Sequence, residues 1–334
     1  MTVRTGVIGV GVMGAEHARL LSEAISQSEL EAVFDVDSAR AAAVAANSGA
    51  RVFDDPMVLI KDDRVDAVLI ASSDQTHEDF VLAAIAAGKP VLCEKPLAPT
   101  VEGCMRIMRA EAEAGTRLVS VGFMRRHDPG YVEMKRALES DQLGRPLLVH
   151  CTHRNASVAP GHPTSMLISG SAVHEIDIVR WLLDEELAAV TVYTPRSAAA
   201  AVGTQDPLML ILESVSGVLI DVEVFVNAAY GYDVRCELVA DRGTILLDSP
   251  AATVIRSSGS AARTVPADWR PRFAEAYRRE LQDWVFGIAA GDPARSASSW
   301  DGYVATEVAQ VSIRALETGQ RQEFSLMEKP SLYR

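Results

Sequence analysis

The sequence predicts an α/β protein in two parts, an N-terminal doubly wound parallel sheet followed by an α/β domain with a mostly antiparallel open sheet. In the first part, short apolar runs alternate with helix-forming segments, which is the pattern of strand-helix-strand units with parallel strands. From Leu208 onward, apolar and polar residues alternate with a period of two, which predicts hairpins. At 334 residues the chain is long enough for two domains, and we expect them to span residues 1–121 and 122–334.

The first strand ends at Ile8 and leads into a glycine-rich turn that a helix-forming segment follows. The turn has the spacing Gly-x-Gly-x-x-Gly, and its residues are Gly9, Gly11, Val12, Met13 and Gly14. In this motif the first glycine permits a tight bend, the second lets the backbone approach a pyrophosphate, and the third lets helix and strand pack closely. The spacing therefore predicts a dinucleotide site, with a glycine turn of another βαβ unit as the alternative.

A second apolar strand over residues 30–34 ends at Asp35, about 20 residues after the last glycine of the turn. A carboxylate at this place accepts hydrogen bonds from a ribose 2′-hydroxyl and repels a 2′-phosphate. The sequence therefore predicts NAD, rather than NADP, as the cofactor. The alternative is that Asp35 only caps the next helix, which the alanine-rich segment 38–47 predicts and Gly49 closes.

Two further buried strands carry polar residues at their ends. Residues 65–71 form a near-continuous apolar run, typical of a strand covered on both faces, and Ser72 and Ser73 follow it at the sheet edge where ligands bind. His77, in the first turn of the next helix, either contacts the cofactor or has a structural role. The strand at 90–93 ends in Glu94 and Lys95, and a lysine there is placed to bind a substrate oxygen and help to move a proton. The alternative for Lys95 is a solvated side chain.

Composition and charge exclude several classes of function. The formal net charge of −13 argues against affinity for nucleic acid or an anionic membrane, since both require clustered Lys and Arg. No run approaches the roughly 18 apolar residues of a membrane helix, and Glu16 and His17 stand where a signal peptide continues its apolar core, so we expect a cytoplasmic protein. The absence of metal-like spacing predicts buried thiols and no metal site at Cys93, Cys104, Cys151 and Cys236.

Several motifs taken together carry a resemblance to a known family. They are the glycine-rich turn, the Glu-Lys-Pro sequence at 94–96, and the segments 121–131 (VGFMRRHDPGY), 174–177 (HEID) and 230–233 (YGYD). The sequence resembles the glucose-fructose oxidoreductase / inositol dehydrogenase / MocA (Gfo/Idh/MocA) family, and within it the bacterial inositol 2-dehydrogenases, over nearly its whole length. The resemblance implies a Rossmann domain that binds NAD, followed by a substrate-binding domain.

The resemblance also implies roles for individual residues. It makes Lys95 and His174 the catalytic pair, with His174 as general base, and it lets Arg125 bind substrate hydroxyls or cover the nicotinamide. The polar segment 152–166 lays donors and acceptors along a sugar-like ligand, or is a plain loop. Tyr232 places its hydroxyl on the substrate, or is a packed aromatic of the sheet. The expected substrate contacts are Lys95, Arg125, His153, Asn155, Ser171, His174 and Tyr232, and the expected cofactor contacts beyond the turn are Asp35, Ser72, Ser73, His77, Glu94 and Lys95.

The helix expected to begin near Ser171 shows one departure from the family pattern. His174 and Asp177 share a face at a spacing of three residues. Inositol dehydrogenases carry an aspartate four residues before the histidine, and here that position is Gly170. Because a glycine cannot orient the histidine, either Asp177, Glu175 or a water takes over, or the natural substrate differs, or catalysis is impaired.

The rest of the chain predicts strands over 208–213, 218–226, 233–240 and 244–247, then helices over 273–288 and 302–318. In the second strand, one face carries carboxylates together with Leu219 and Phe225, which a subunit interface would cover, so we expect a homo-oligomer, a dimer or tetramer.

The predicted reaction is reversible hydride transfer between NAD and a secondary alcohol of a polyol, cyclitol or sugar. His174 removes the hydroxyl proton while Lys95 binds and polarises the same oxygen. Two alternatives stay open at this point, a ketoreductase in a biosynthetic route and a non-catalytic NAD-binding sensor, which Gly170 favours.

Overall fold

The structure, a computed structural model, describes residues 1–248, 254–293 and 296–334 and separates the chain into two units. Unit 1 comprises Met1–His127, Ala276–Thr306 and Met327–Arg334, and unit 2 comprises Asp128–Glu275 and Glu307–Leu326. The division near residue 127 lies close to the expected one after residue 121. The expectation of one contiguous second domain differs from this division, because two later segments belong to unit 1.

Unit 1 contains the strands β1 (Val3–Ile8), β2 (Ser28–Phe34), β3 (Arg51–Val52), β4 (Ala67–Ile70), β5 (Val91–Glu94) and β6 (Val119–Gly122). The helices that connect them are α1 (Val12–Glu23), α2 (Ser38–Ser48), α3 (Pro56–Lys61), α4 (Asp74–Ala86) and α5 (Val101–Ala114). All neighbouring strands are parallel, in the order β3-β2-β1-β4-β5-β6. The order reverses between β1 and β4, which is the switch point of a doubly wound sheet, so the predicted fold class is confirmed.

Local signals explain where the helices of unit 1 begin. The Asp37 carboxylate accepts hydrogen bonds from the N–H groups of Ala39 and Arg40 at the start of α2. Helix α3 is absent from the elements expected above, although Asp55 caps it and Pro56 occupies its first turn. Those two residues are a recognisable start signal, so the sequence did contain the evidence for α3.

Two long helices lie near the end of the chain, α9 (Trp269–Ala289) and α10 (Ser299–Thr318). They agree with the helices predicted over 273–288 and 302–318. Each contributes to both units, because residues 276–289 of α9 and 299–306 of α10 belong to unit 1.

A buried carboxylate on α5 ties the C-terminal segments into unit 1. Oε1 of Glu111 accepts hydrogen bonds from the N–H groups of Leu118 (2.6 Å) and Val119 (2.9 Å). Oε2 accepts hydrogen bonds from the hydroxyls of Ser299 (2.6 Å) and Tyr333 (2.8 Å). Burial and the negative charge of Glu111 both raise the pKa of the Tyr333 phenol, so its hydroxyl remains a donor at neutral pH. The Glu111 side chain is fully buried, and each of its carboxylate oxygens accepts hydrogen bonds that satisfy it.

Unit 2 contains α6 (Pro129–Glu139) and the strands β7 (Pro146–Arg154), β8 (Leu187–Tyr193), β9 (Leu208–Ser214), β10 (Leu219–Phe225), β11 (Asp233–Ala240), β12 (Gly243–Leu247) and β15 (Gln322–Glu323). The strands form a sheet in the order β12-β11-β7-β10-β9-β8-β15. Among the described residues, β7 and β10 are parallel and the other neighbours are antiparallel. The mostly antiparallel sheet is thus confirmed, whereas β8 and β15 were not predicted. A separate hairpin pairs β13 (Val254–Ser257) with β14 (Ser260–Arg263).

A helical segment packs against β7 and β10 and begins earlier than expected. It runs from α7 (Thr164–Met166) through a π-helical turn (Leu167–Ala172) into α8 (Val173–Leu183). The expected start near Ser171 is therefore wrong, because the π-helical turn continues the helix without a break. Helix α8 is buried on nearly all sides, so its polar residues lie inside unit 2: His174, Glu175, Asp177 and Arg180.

Candidate active site

A cavity of about 310 Å³ in unit 1 brings together residues from the glycine-rich turn, β2 and β4. It contains the predicted cofactor residues Gly9, Gly11, Asp35, Ser72 and Ser73. The sequence did not predict the remaining lining residues, which are Phe34, Val36, Arg40, Ala71, Thr76 and Phe80. The cavity lies at the carboxyl ends of the strands beside the switch point, where doubly wound sheets bind ligands. Val12, Met13 and Gly14 form the first turn of α1 next to it.

The structure restricts the three positions of the glycine-rich turn to glycine to different degrees. Gly9 has a φ of 85°, which disfavours any side chain, and a Cβ on Gly14 would lie 1.8 Å from the carbonyl oxygen of Gly9. Gly11 has an ordinary φ of −67°, and a Cβ there would meet nothing closer than Arg40 Nη1 at 4.0 Å. The space around position 11 therefore does not require a glycine. A backbone left bare beside the N-terminus of α1 fits a diphosphate.

Asp35 is buried at the end of β2 and binds both the turn and the next loop. Its Oδ2 accepts a hydrogen bond from the N–H of Val10 at 2.8 Å, and its Oδ1 accepts one from the N–H of Asp37 at 2.8 Å. Nη1 of Arg40 lies 3.4 Å from both carboxylate oxygens. The carboxylate thus shapes the turn and also lines the cavity. It is not the N-cap of α2, because Asp37 has that role.

Lys95 follows β5, and its peptide bond to Pro96 is cis. The preceding Glu94 is held by a residue that the sequence did not single out for the site. Oε1 of Glu94 lies 2.7 Å from Nε2 of His17, which is on α1 and 1% exposed. Burial acts to raise the pKa of the Glu94 carboxyl, but the hydrogen bond from His17 and the charge of Lys95 outweigh it, so the pKa lies below its usual range.

His77 is buried at the start of α4 and contacts two backbone carbonyls. Its Nδ1 lies 2.7 Å from the carbonyl oxygen of Pro96, and its Nε2 lies 3.2 Å from that of Ser72. The ring thereby connects the chain after β4 with the chain after β5. This placement favours the structural alternative for His77.

The basic residues of the segment 121–131 lie in a 3₁₀ turn, Met124–His127, directly after β6. Arg125 is buried, and its contact with substrate or nicotinamide stays a prediction. Arg126 makes an ion pair with Asp301 at 3.0 Å, and its side chain is only 12% exposed. His127 is held by Asp283 and Ser296, both at 2.9 Å.

Unit 2 gathers several predicted substrate residues into a buried polar cluster. His153 was expected in a loop, but it lies on β7, because β7 continues to Arg154 between Val224 of β10 and Val234 of β11. The ring centroids of His153 and His174 are 6.4 Å apart. The Tyr232 ring packs edge-on against His153, at 5.9 Å between centroids.

Glu175, one of the groups named above to take over from the family aspartate, contacts another member of this cluster. Its two carboxylate oxygens lie 3.1 and 3.0 Å from Nδ1 of His153. Both side chains are almost fully buried. The pair joins α8 to β7 across 22 residues of sequence, and no local pattern signals it.

Asn155, Ser171 and Gly170 lie on the segments that adjoin this cluster. The backbone of Asn155 is hydrogen-bonded to Phe225 and Ala228. Its Oδ1 atom is buried and has no hydrogen-bond partner among the described residues, so a ligand donor would satisfy it. Ser171 is buried in the π-helical turn, next to Gly170. A Cβ at Gly170 would approach the end of the Met166 side chain at 3.3 Å.

Tyr232 is buried, and its packing fits the alternative of a sheet aromatic. Its ring also contacts Phe273 edge-on at 6.2 Å, and its N–H donates to the carbonyl of Pro266. The contact of its hydroxyl with substrate stays a prediction.

Across residues 1–248, 254–293 and 296–334, no group of three or more His, Cys, Asp or Glu side chains is arranged to hold a metal ion. The cysteines are buried, and burial raises the pKa of the Cys93 thiol and brings that of Cys104 to about 11. None of the helices in the described residues is both long and apolar enough to cross a membrane.

Two family models match the two halves of this arrangement. Residues 3–123 match an oxidoreductase family with an NAD-binding Rossmann fold, and residues 131–246 match the GFO/IDH/MocA C-terminal domain. This chain belongs to the Gfo/Idh/MocA family. The resemblance found in the sequence motifs is confirmed, and NAD is the cofactor of the Rossmann fold in unit 1.

Similar proteins within the Gfo/Idh/MocA family match along the whole chain. Inositol 2-dehydrogenases 2 and 1 of Saccharopolyspora erythraea are each 52% identical over 100% of this chain and 98% and 99% of their own length. The inositol 2-dehydrogenase of Paracoccus denitrificans is 45% identical over the full length of both chains. The structure of myo-inositol dehydrogenase from Lactobacillus casei, in complex with NAD(H) and myo-inositol, covers 100% of both chains with a TM-score of 0.97 and 34% identity.

Proposed function

We propose that this chain is an NAD-dependent dehydrogenase that transfers hydride between NAD and a secondary alcohol of a cyclitol or sugar, with an inositol-like substrate. The observation that carries the proposal is the match along the whole chain, at 52% identity, to two proteins named inositol 2-dehydrogenase. The sequence also holds the residue types that this chemistry needs, a lysine after β5 and a histidine on α8.

In this proposal, unit 1 binds and orients the cofactor. Backbone N–H groups at the start of α1 bind the diphosphate beside Gly11, and Asp35 accepts hydrogen bonds from the ribose. Ser72 and Ser73 offer hydroxyl groups along the same cavity. When bound, NAD supplies the hydride acceptor at its nicotinamide ring.

Lys95 and His174 act on the hydroxyl that is oxidised. The Lys95 ammonium donates a hydrogen bond to the hydroxyl oxygen and stabilises the negative charge that develops on it as hydride leaves. A neutral His174 imidazole accepts the hydroxyl proton. In the reverse direction, His174 returns the proton and Lys95 polarises the carbonyl, so a ketoreductase would use the same two residues.

The other hydroxyl groups of the substrate contact a set of polar side chains. An inositol-like ring carries a hydroxyl on every carbon, each able to donate and accept a hydrogen bond. The orphan Oδ1 of Asn155 supports a contact with a hydroxyl donor there. The proposed contacts are Arg125, His153, Asn155, Ser171 and Tyr232.

Gly170 is the reason why the proposal names an inositol-like substrate rather than inositol itself. The family aspartate at this place orients the histidine, and a glycine cannot do so. A Cβ at position 170 would meet only the flexible end of Met166 within 4 Å among the described residues, so the backbone there has room for the first atom of a side chain and Gly170→Asp is a feasible variant.

We further propose that the protein works in the cytoplasm as a homo-oligomer, a dimer or tetramer. Large apolar side chains that are 37 to 57% exposed on β7, β10 and β12 support an interface on the open face of the sheet: Leu148, Leu219 and Leu246. Light scattering on the purified protein measures the oligomeric state, and a monomer at micromolar concentration would contradict it. Subcellular fractionation tests the compartment.

The experiment follows NADH formation by purified protein offered NAD with a panel of inositols, hexoses and glycosides, and NADH consumption by the same protein offered the matching ketones. The variants are Lys95→Ala, Gly170→Asp and, as a matched control, the exposed Lys61→Ala. We expect wild type and Lys61→Ala to oxidise one substrate of the panel at similar rates. In Lys95→Ala the rate of NADH formation with that substrate should fall at least 100-fold. NAD binding by wild type without turnover of any compound would refute the proposal and favour the sensor.

A further inference from the structure

Glu175 has no part in the reaction proposed above, yet it is a buried charged residue on α8 of unit 2. Its carboxylate is 1% exposed and holds Nδ1 of His153, which is 4% exposed, with both oxygens. A buried pair of this kind is poor evidence of a stabilising role, since well-packed apolar residues in its place are often as stable or more so. Its presence inside the substrate cluster points to a role in recognition.

The contact with an ionised Glu175 determines which nitrogen of His153 carries the proton. An ionised carboxylate accepts hydrogen bonds but has no proton to donate, so with Glu175 ionised Nδ1 of His153 is the donor. In a neutral imidazole, the other nitrogen then carries the lone pair. Glu175 therefore makes Nε2 of His153 a hydrogen-bond acceptor.

This acceptor belongs to the same cluster as the proposed general base. The rings of His153 and His174 are 6.4 Å apart and inclined by 32°, and Tyr232 packs edge-on against His153 at an angle of 81°. Asn155 lies two positions after His153 in the sequence, and its Oδ1 is buried without a partner among the described residues. Two acceptors thus lie on the same strand end.

We infer that Glu175 is a positioning residue that fixes His153 as an acceptor for a second hydroxyl of the substrate, separate from the one that is oxidised. This inference rests on the proposed function and narrows its substrate class. The group that meets Nε2 of His153 must donate a hydrogen bond, which a neutral polyol does. A carboxylate or phosphate at that place has no proton to give, and the negative charge of Glu175 repels it.

The decisive experiment combines a variant of Glu175 with substrate analogues. The best substrate of the panel and its series of monodeoxy analogues are assayed with wild type, Glu175→Gln and the control Glu213→Gln. Glu213 is a partly exposed carboxylate on β9 that is paired with Arg321. We expect Glu175→Gln to lower kcat/KM for the parent substrate about 10- to 100-fold, mainly through KM. For the analogue that lacks the hydroxyl bound by His153, the same variant should change kcat/KM less than threefold.

An equal loss on the parent and on every analogue would overturn the inference, because a merely structural Glu175 acts on all substrates alike. Glu213→Gln should behave as wild type throughout. The absence of wild-type turnover on the whole panel is a different result, since it refutes the proposed function itself and this inference with it.

A second measurement needs neither turnover nor a stable Glu175 variant. Nitrogen-15 NMR of histidine-labelled wild-type protein reports which ring nitrogen is protonated, and the His153 signals are assigned by their loss in His153→Gln. We expect a proton on Nδ1 and a lone pair on Nε2 at neutral pH. A proton on Nε2, in a neutral or a cationic ring, would overturn the inference.

Discussion

Replacing Gly11 with alanine separates cofactor binding from folding more cleanly than any other change in the glycine-rich turn. The φ of Gly11 is −67°, outside the left-handed region that favours glycine, and a Cβ there would lie 4.0 Å from Nη1 of Arg40. We therefore expect Gly11→Ala to change the free energy of unfolding by no more than about 0.5 kcal/mol. The added methyl group instead occupies the cavity wall that a diphosphate must approach.

The expected loss of affinity follows from the hydrogen bonds that the methyl group displaces. A hydrogen bond from a backbone N–H to a charged phosphate contributes about 1.5–3 kcal/mol. Losing one of these corresponds to a dissociation constant for NAD that is roughly 10- to 150-fold higher. Titration of NADH fluorescence, with thermal unfolding of the same samples, measures both quantities.

Gly14→Ala is the contrasting variant in the same turn. Its Cβ would lie 1.8 Å from the carbonyl oxygen of Gly9, so the start of α1 would have to move away from the turn. Forced overpacking of this kind costs about 1–3 kcal/mol, and we expect a melting temperature several degrees lower. The reasoning is refuted if Gly11→Ala binds NADH within twofold of wild type, or if Gly14→Ala is as stable as Gly11→Ala.

Three further predictions concern single side chains. Asp35→Asn should raise the ratio of NADP to NAD affinity at least about tenfold, because the charge that repels a 2′-phosphate is lost; paired titrations measure it. His17→Ala removes the hydrogen bond to Glu94 and leaves that buried carboxylate with less support, so denaturant unfolding should show a loss of about 1–3 kcal/mol. Tyr333→Phe removes the hydrogen bond to Glu111, at a cost of about 1–2 kcal/mol at pH 7. Because the pKa of folded Tyr333 is raised, wild type loses this advantage as pH rises above about 10, and unfolding at pH 7 and 11 checks the sign.

The Rossmann half was predictable because its signals are local. The glycine spacing, the acidic residue after β2 and the buried apolar run of β4 each lie within a few residues, and the structure places Gly9, Asp35 and Ser72 around one cavity. Arg40 was missed because its approach to Asp35 depends on how α2 packs against the turn, which no spacing rule describes.

The substrate half was less predictable because its site depends on contacts between distant segments. His153 is a polar residue in a turn-rich sequence, and its place on β7 becomes evident only through pairing with β10 and β11. The π-helical turn around Gly170 has no sequence signature, so the helix start was misplaced. The contact of Glu175 with His153 likewise requires the sheet and helix to be assembled.

The buried carboxylate of Glu111 has a consequence for the order of events during synthesis. Val119 on β6 is made early, but Ser299 and Tyr333 are translated after nearly all of unit 2. Domains usually fold in order from the N-terminus as they leave the ribosome. Unit 1 cannot follow that order fully, since Glu111 lacks two of its donors until the later segments arrive. A nascent chain stopped after residue 127 should therefore hold a loosely packed Rossmann half that is more sensitive to protease than the same residues in the full chain.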